Sequence, residues 1–288
     1  MVRLGFYIAI GIAALAFVAG GIRASRRIRE KRRPSPTELG IGFGVCFFDT
    51  LGIGSFAPTT ALCKFLRLVP DEHIPGTLNI GLTPAALLQA VLFVTAVLVD
   101  PLLLLAMVGS AAAGAWLGAG VVSRMARRPI QIGMGIALVI AGTIFVAVSL
   151  GLLPGGGTAM SLAGWRFGLA VGINFILGAL MSVGIGCYAP CMITLALLGM
   201  HPIAAFPIMM GSCAFLMPVA SARFIRLESY SPRAALGLGL GGLPGVLIAA
   251  LIVKSLSLTA VRWVVVVAVT YAAVTMLRSA MIERRASR

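Results

Sequence analysis

A chain of 288 residues that is 60% hydrophobic and 11% charged, with a mean hydropathy of +1.06, has under half the charged side chains of a soluble domain, which carries roughly 25%. That bias excludes disordered, collagen-like and disulfide-stapled classes, and five cysteines with no C-x-x-C pair make neither a disulfide framework nor a zinc site. The net charge of +15 does not indicate nucleic acid, since aromatic interleaving and binding modules are missing; seventeen of the 23 Lys and Arg fall in 23–33, 124–128, 223–233 and 278–288, polar joints of the kind that face an anionic cytoplasmic leaflet.

Residues 4–22 form the first apolar run, preceded by Arg3 alone and followed by Arg23, Arg26, Arg27, Arg29, Lys31, Arg32 and Arg33. A cleaved signal carries its positive charge ahead of the apolar region. The pattern therefore predicts a retained membrane helix with the N-terminus outside and 23–36 inside. Further apolar stretches cover roughly 37–66, 74–99, 102–123, 130–150, 165–199, 202–222, 235–253 and 262–277. Those at 37–66 and 165–199 are too long for one plain helix, and each is broken by a Gly-rich kink followed by Pro.

A shift of 132 positions lays Gly52-Ile53-Gly54-Ser55-Phe56-Ala57-Pro58 on Gly184-Ile185-Gly186-Cys187-Tyr188-Ala189-Pro190. Without a gap it also pairs Gly40 with Gly172, Phe43 with Phe175, Pro70 with Pro202 and Pro75 with Pro207. The chain thus reads as 1–36, a leading helix with its basic loop; 37–150, a first repeat; 151–164, a linker; and 165–288, a second repeat with a basic tail. Three apolar stretches separate the basic loops at 23–33 and 124–128, yet an even number of crossings is needed to keep both inside. Two half-helices of some 14 residues, spanning about 21 Å each, are too short to cross, so 37–66 is expected to enter and return on one side. Each repeat then holds one re-entrant hairpin and three full spans, and the odd number of spans inverts the second repeat. The expected fold is an all-α polytopic membrane protein with inverted repeats and a cytoplasmic C-terminus.

Broken backbone at membrane depth survives only where it lines a cavity or is buried in protein, and in inverted-repeat transporters such breaks form the substrate site. Each second half-helix is expected to begin near Ala57-Pro58 and Ala189-Pro190, with the proline at the first helical position. Free N–H groups and positive dipole ends then converge on the tips, an anion site without a buried Lys or Arg. The helix-break residues are Gly52, Gly54, Pro58, Gly184, Gly186 and Pro190. Ser55, Thr59 and Thr60 at the first tip, and Cys187 and Cys191 at the second, are substrate-binding candidates; Asn79 and Ser212 rank second. Each could equally serve close helix packing.

Asp49 is the one acid inside an apolar stretch, and an intramembrane carboxylate marks an ion pathway or proton relay when it is not capping a turn. It is the candidate coupling residue; its repeat mate is Met181. His73 and His201 read as interface loop residues. Cys187 and Cys191 stand one helical turn apart with Met192, Met209 and Met210 nearby in sequence, a soft-metal pattern as well as a packing one. No metal site, cofactor or catalytic residue is assigned, because no G-x-S-x-G, H-E-x-x-H or C-x-x-C motif occurs. The remaining enzyme-like alternative is a membrane thiol redox protein.

Phe48-Asp49-Thr50-Leu51-Gly52-Ile53-Gly54-Ser55-Phe56-Ala57 and Ile74-Pro75-Gly76-Thr77-Leu78-Asn79 resemble the first repeat of the TauE/SafE family of sulfite and organosulfonate exporters. Gly186-Cys187-Tyr188-Ala189-Pro190-Cys191-Met192 and Ala205-Phe206-Pro207-Ile208-Met209-Met210-Gly211-Ser212 resemble its second repeat. The resemblance covers about 37–278. It implies a secondary transporter in the bacterial inner membrane that moves sulfite, sulfoacetate or other sulfonates. Ser55-Phe56 and Cys187-Tyr188 replace glycines of the family's usual cluster, and the cysteines keep a thiosulfate-type importer as the alternative. The implied partners are a small anionic substrate and the lipid bilayer, with a homodimer left open.

Overall fold

A computed structural model describes residues 2–25, 33–51, 54–93, 99–152, 157–184 and 186–252, together with Val274, Leu277, Arg278 and Met281. The break residue Gly52 and most of the span expected at 262–277 lie outside the described residues. The helices are α1 (Val2–Ser25), α2 (Pro36–Thr50), α3 (Phe56–Phe65), α4 (Ile74–Phe93), α5 (Pro101–Val122), α6 (Arg127–Ser149), α7 (Gly164–Met181), α8 (Tyr188–Leu197), α9 (Pro202–Arg226) and α10 (Pro232–Ile252). A 3-10 turn, Asp71–His73, precedes α4.

Local chemistry sets the helix starts. At α2 the Ser35 N–H donates to the Glu38 carboxylate at 2.7 Å while the Glu38 N–H donates to the Ser35 hydroxyl at 3.3 Å, a reciprocal cap that satisfies two end donors. Asp100 caps α5 by accepting from the N–H groups of Leu102 and Leu103 at 2.7 and 3.1 Å. Pro36 and Pro101 occupy first-turn positions where a missing N–H costs nothing.

Packing follows the repeat. α2 lies along α10, and its counterpart α7 lies along α5; α4 packs on α10, and its counterpart α9 packs on α5; α4 and α9 cross each other. Each of these pairings recurs with the halves exchanged, as a pseudo-two-fold requires. Glycine lets the first two pairs touch backbone to backbone. A Cβ on Gly241 would collide with the Leu39 carbonyl oxygen, and one on Gly114 with the Phe175 carbonyl oxygen. Between membrane helices, where hydrophobic drive is weak, small residues supply this contact.

The two hairpins open at opposite ends of the bundle. At the mouth of the first, Arg233 Nε at the start of α10 donates to Glu38 at 2.9 Å, and the Ser231 N–H donates to the Thr77 hydroxyl on α4 at 2.9 Å. Lys64 of α3 meets Asp71 at 2.6 Å, and Asp71 also accepts from Gln131 of α6 at 2.8 Å. The mouth of the second lies where α9 begins: the His201 N–H donates to the Ala159 carbonyl at 2.8 Å, and Arg166 of α7 reaches the Leu198 carbonyl at 3.5 Å. α9 then runs 25 residues, about 37 Å, to Arg226 beside the first mouth. The repeats are inverted.

α1 runs between the same two ends. The Tyr7 hydroxyl donates to the Val91 carbonyl near the end of α4 at 3.4 Å, while Phe17 and Gly21 line a groove with Ile225 and Tyr230. Leu102, Leu105, Leu117, Val121, Leu247 and Leu251 face outward, whereas Thr59, Thr77, Asn79, Gln89, Asn174 and Ser212 are fully buried. That reverses a soluble protein's distribution and suits lipid contact. α5, α7, Pro207–Arg226 of α9 and Pro232–Leu251 of α10 are each long and apolar enough to cross a membrane. The chain is an all-α, multi-pass membrane protein.

The hairpin arms are less equal than two halves of some 14 residues. α2 has 15 residues and α7 has 18, while α3 and α8 have ten each. The breaks fall late in each stretch, so the returning arms, about 15 Å long, are the short ones.

Candidate functional site at the hairpin tips

α3 and α8 begin at Phe56 and Tyr188, with Ser55 and Cys187 at the capping positions and no side-chain cap on either helix. The first helical bonds run from the Thr59 N–H to the Ser55 carbonyl and from the Cys191 N–H to the Cys187 carbonyl, each 3.0 Å. Pro58 and Pro190 therefore stand third in their helices rather than first. The third position also lacks an acceptor within the helix, so proline fits there equally well. The N–H groups ahead of the prolines have no intrahelical partner. Gly54 at φ +90° and Gly184 at φ +103° make the sharp turns into the returning arms, a conformation side chains disfavour.

The two tips meet. A Cβ placed on Gly186 would lie 3.5 Å from that of Phe56, and one on Gly184 would lie 3.8 Å from the Thr60 hydroxyl. Between them is a void of about 20 Å³ lined by Asp49, Gly54, Ser55 and Phe56 from the first hairpin and Met181, Gly186, Cys187 and Tyr188 from the second. Leu82 and Ala86 of α4 and Cys213 and Met217 of α9 close its sides. Repeat 1 contributes hydroxyl and carboxylate to this void, and repeat 2 contributes sulfur. The void holds about one water molecule, so the tips must part to admit a larger anion.

Asp49 is 6% exposed and held by a network that crosses the repeats. Gln89 Nε2 on α4 donates to Asp49 at 2.9 Å and to the Thr50 hydroxyl at 3.0 Å. The Gln89 amide oxygen accepts from the Tyr188 hydroxyl at 2.9 Å. Ser55 lines the same void as the Asp49 carboxylate. Asp49 is thus linked through Gln89 to the second tip and sits at the cavity wall as well.

The remaining sequence candidates divide by position. Of the substrate-binding set, Ser55 and Cys187 line the void, as do the break residues Gly54 and Gly186. Thr59 is one turn into α3, its hydroxyl donating to the Ser55 carbonyl at 2.6 Å. Thr60 is 1% exposed, and its hydroxyl has no hydrogen-bond partner among the described residues. Cys191 is buried behind Cys187, whose Sγ lies 3.2 Å from Cys213 rather than against Cys191. Asn79 donates to the Pro75 carbonyl of its own helix at 2.9 Å, and its amide oxygen has no partner among the described residues. Ser212 accepts from Asn174 Nδ2 at 3.1 Å, and the same amide donates to the Met107 carbonyl at 2.7 Å. Asn174 therefore joins α7 to α5 and α9, with Ser212 as its acceptor on α9. His73 closes the 3-10 turn, and His201 precedes α9.

Sequence reasoning passes over Gln89 and the Tyr188 hydroxyl. A primary amide in the middle of the apolar stretch 74–99 was the available signal for Gln89. Nothing local marks Tyr188, because its role depends on a partner 99 residues away.

Comparison with known proteins gives one family. Residues 1–145, α1 through most of α6, match the family model described as sulfite exporter TauE/SafE. No curated protein and no solved structure matches the chain.

Proposed function

This chain belongs to the TauE/SafE family of sulfite exporters and is an anion transporter, and from that premise we propose that it is a secondary transporter for sulfite, sulfoacetate or related sulfonates, with its substrate held between the two hairpin tips. The observation that carries the reading is the meeting of Ser55-Phe56 with Gly186-Cys187 around one void at the inverted-repeat centre. Two helix N-termini facing one point supply N–H donors and positive potential to an oxyanion without a mobile cation. Ser55 adds a hydroxyl, and Cys187 and the hydroxyl of Thr60 stand close by.

Asp49 shares the void. An ionised carboxylate and an oxyanion repel each other at such range, so the anion binds together with a proton on Asp49. Transport is then linked to protons through a single residue, since Met181 occupies the matching position of the other repeat. With the basic loops inside, the N-terminus lies outside and the first hairpin opens to the cytoplasm.

Purified protein in vesicles, offered sulfite, sulfoacetate, taurine, thiosulfate and sulfate, tests the substrate. Saturable flux of sulfite or a sulfonate, with sulfate excluded, is the expected result. Preference for thiosulfate would move the assignment to the cysteine-bearing alternative. Flux of none of them would overturn the substrate assignment.

A further inference from the structure

Among the described residues, two arginines beside the first hairpin mouth have no carboxylate partner of the kind that the neighbouring Arg233 and Lys64 have. Arg233 is paired with Glu38, and Lys64 with Asp71. Arg223 instead lies over the Trp116 ring at 4.5 Å and Arg226 over the same ring at 5.9 Å. Among the described residues neither makes an ion pair, and Arg223 Nε is buried without a hydrogen-bond partner. Arg223 is half-buried and Arg226 exposed, so both planar forks remain able to donate to an anion arriving at this end.

The same tryptophan begins an apolar groove of about 250 Å³ between α1, α5 and α9. Ala13, Ala16, Phe17 and Gly20 form its α1 wall, and Pro218 and Ala222 lie on the α9 wall. Ala13 to Gly20 covers about 10 Å of helix, most of the roughly 15 Å depth of one leaflet's hydrocarbon. The groove therefore runs inward from a cationic, aromatic rim at the end of the bundle where the basic loops gather.

We propose that this groove binds one anionic phospholipid, its phosphodiester held by Arg223 and Arg226 over Trp116 and one acyl chain laid along Ala13–Gly20 of α1. Charge complementarity chooses the occupant. A zwitterionic headgroup brings its own cation to two unpaired guanidiniums, whereas phosphatidylglycerol brings net negative charge. The lipid clamps α1 onto α9, the helix whose Cys213 and Met217 form part of the tip void.

The test is thermal unfolding of the full chain in neutral detergent with added phosphatidylglycerol, phosphatidylcholine or inorganic phosphate. Phosphatidylglycerol is expected to raise the melting temperature, an effect that weakens with added salt, while the other two leave it unchanged. Arg223→Gln/Arg226→Gln should lose the selective rise. Ala16→Phe, which fills the groove from an exposed position, should lose it with both arginines intact and with unliganded melting unchanged. Equal stabilisation by phosphatidylcholine would overturn the proposal, as would the same rise from phosphate alone, which would mark a plain anion site. Retention of the phosphatidylglycerol preference in both variants would also overturn it.

Discussion

The Tyr188 hydroxyl on the second hairpin donates to the Gln89 amide oxygen of the first repeat at 2.9 Å, and the other end of that amide holds Asp49 at 2.9 Å. One buried amide thus couples a residue at the second tip to the only acid inside an apolar stretch of the first repeat. When the tips part, this bond must break or travel with one half.

Tyr188→Phe removes the donor while keeping the ring. It leaves the Gln89 amide oxygen buried and unpaired, a loss of about 1–3 kcal/mol. The melting temperature in detergent should fall, while the protein still inserts and folds. An unchanged melting temperature would show that the bond does not hold the closed arrangement together.

Asp49→Asn mimics the protonated carboxyl in shape and charge. In the native protein, anion binding should tighten as pH falls, because the proton that removes the repulsion is then more available. The variant should bind an alkanesulfonate, whose own charge does not change over this range, at least as well as the native protein at neutral pH and show no pH dependence. Binding isotherms across acidic and neutral pH check this; an intact pH dependence in the variant would take the coupling role away from Asp49.

Gly114 and Gly109 both lie on α5, yet a Cβ on Gly114 would meet the Phe175 carbonyl, whereas Gly109 has nothing within 4 Å. Gly114→Val should therefore cost about 1–3 kcal/mol or more by forcing α5 off α7, and Gly109→Val should be tolerated. Yield of folded protein by size-exclusion chromatography separates the two. Equal yields would contradict the backbone contact between α5 and α7.

Much of this architecture is legible in the residues. The match of Gly52–Pro58 with Gly184–Pro190 marks both breaks, and the placement of arginines forces a hairpin that returns to its own side. The helices α3 and α8 then fall on corresponding positions, Phe56–Phe65 and Tyr188–Leu197. Composition and spacing could not say which polar residues face the tips. Asn79 and Ser212 carry the same chemistry as Ser55, but their bonds go to the Pro75 carbonyl and to Asn174. Whether a small polar residue faces a site or a neighbouring helix depends on rotation about the helix axis, and an apolar stretch of near-uniform hydropathy does not encode that rotation locally. Gln89 illustrates the converse: its meaning comes only from Asp49, 40 positions earlier, and Tyr188, 99 later.

The convergence of the tips is tested most directly by cross-linking. Phe56→Cys with Gly186→Cys, in a chain whose five native cysteines are replaced, puts two Cβ atoms about 3.5 Å apart, within the range a disulfide spans. With a protease site placed in the linker 151–164, oxidised protein should stay as one band after cleavage and separate into two on reduction. Two separate half-length bands after oxidation and cleavage would contradict the account.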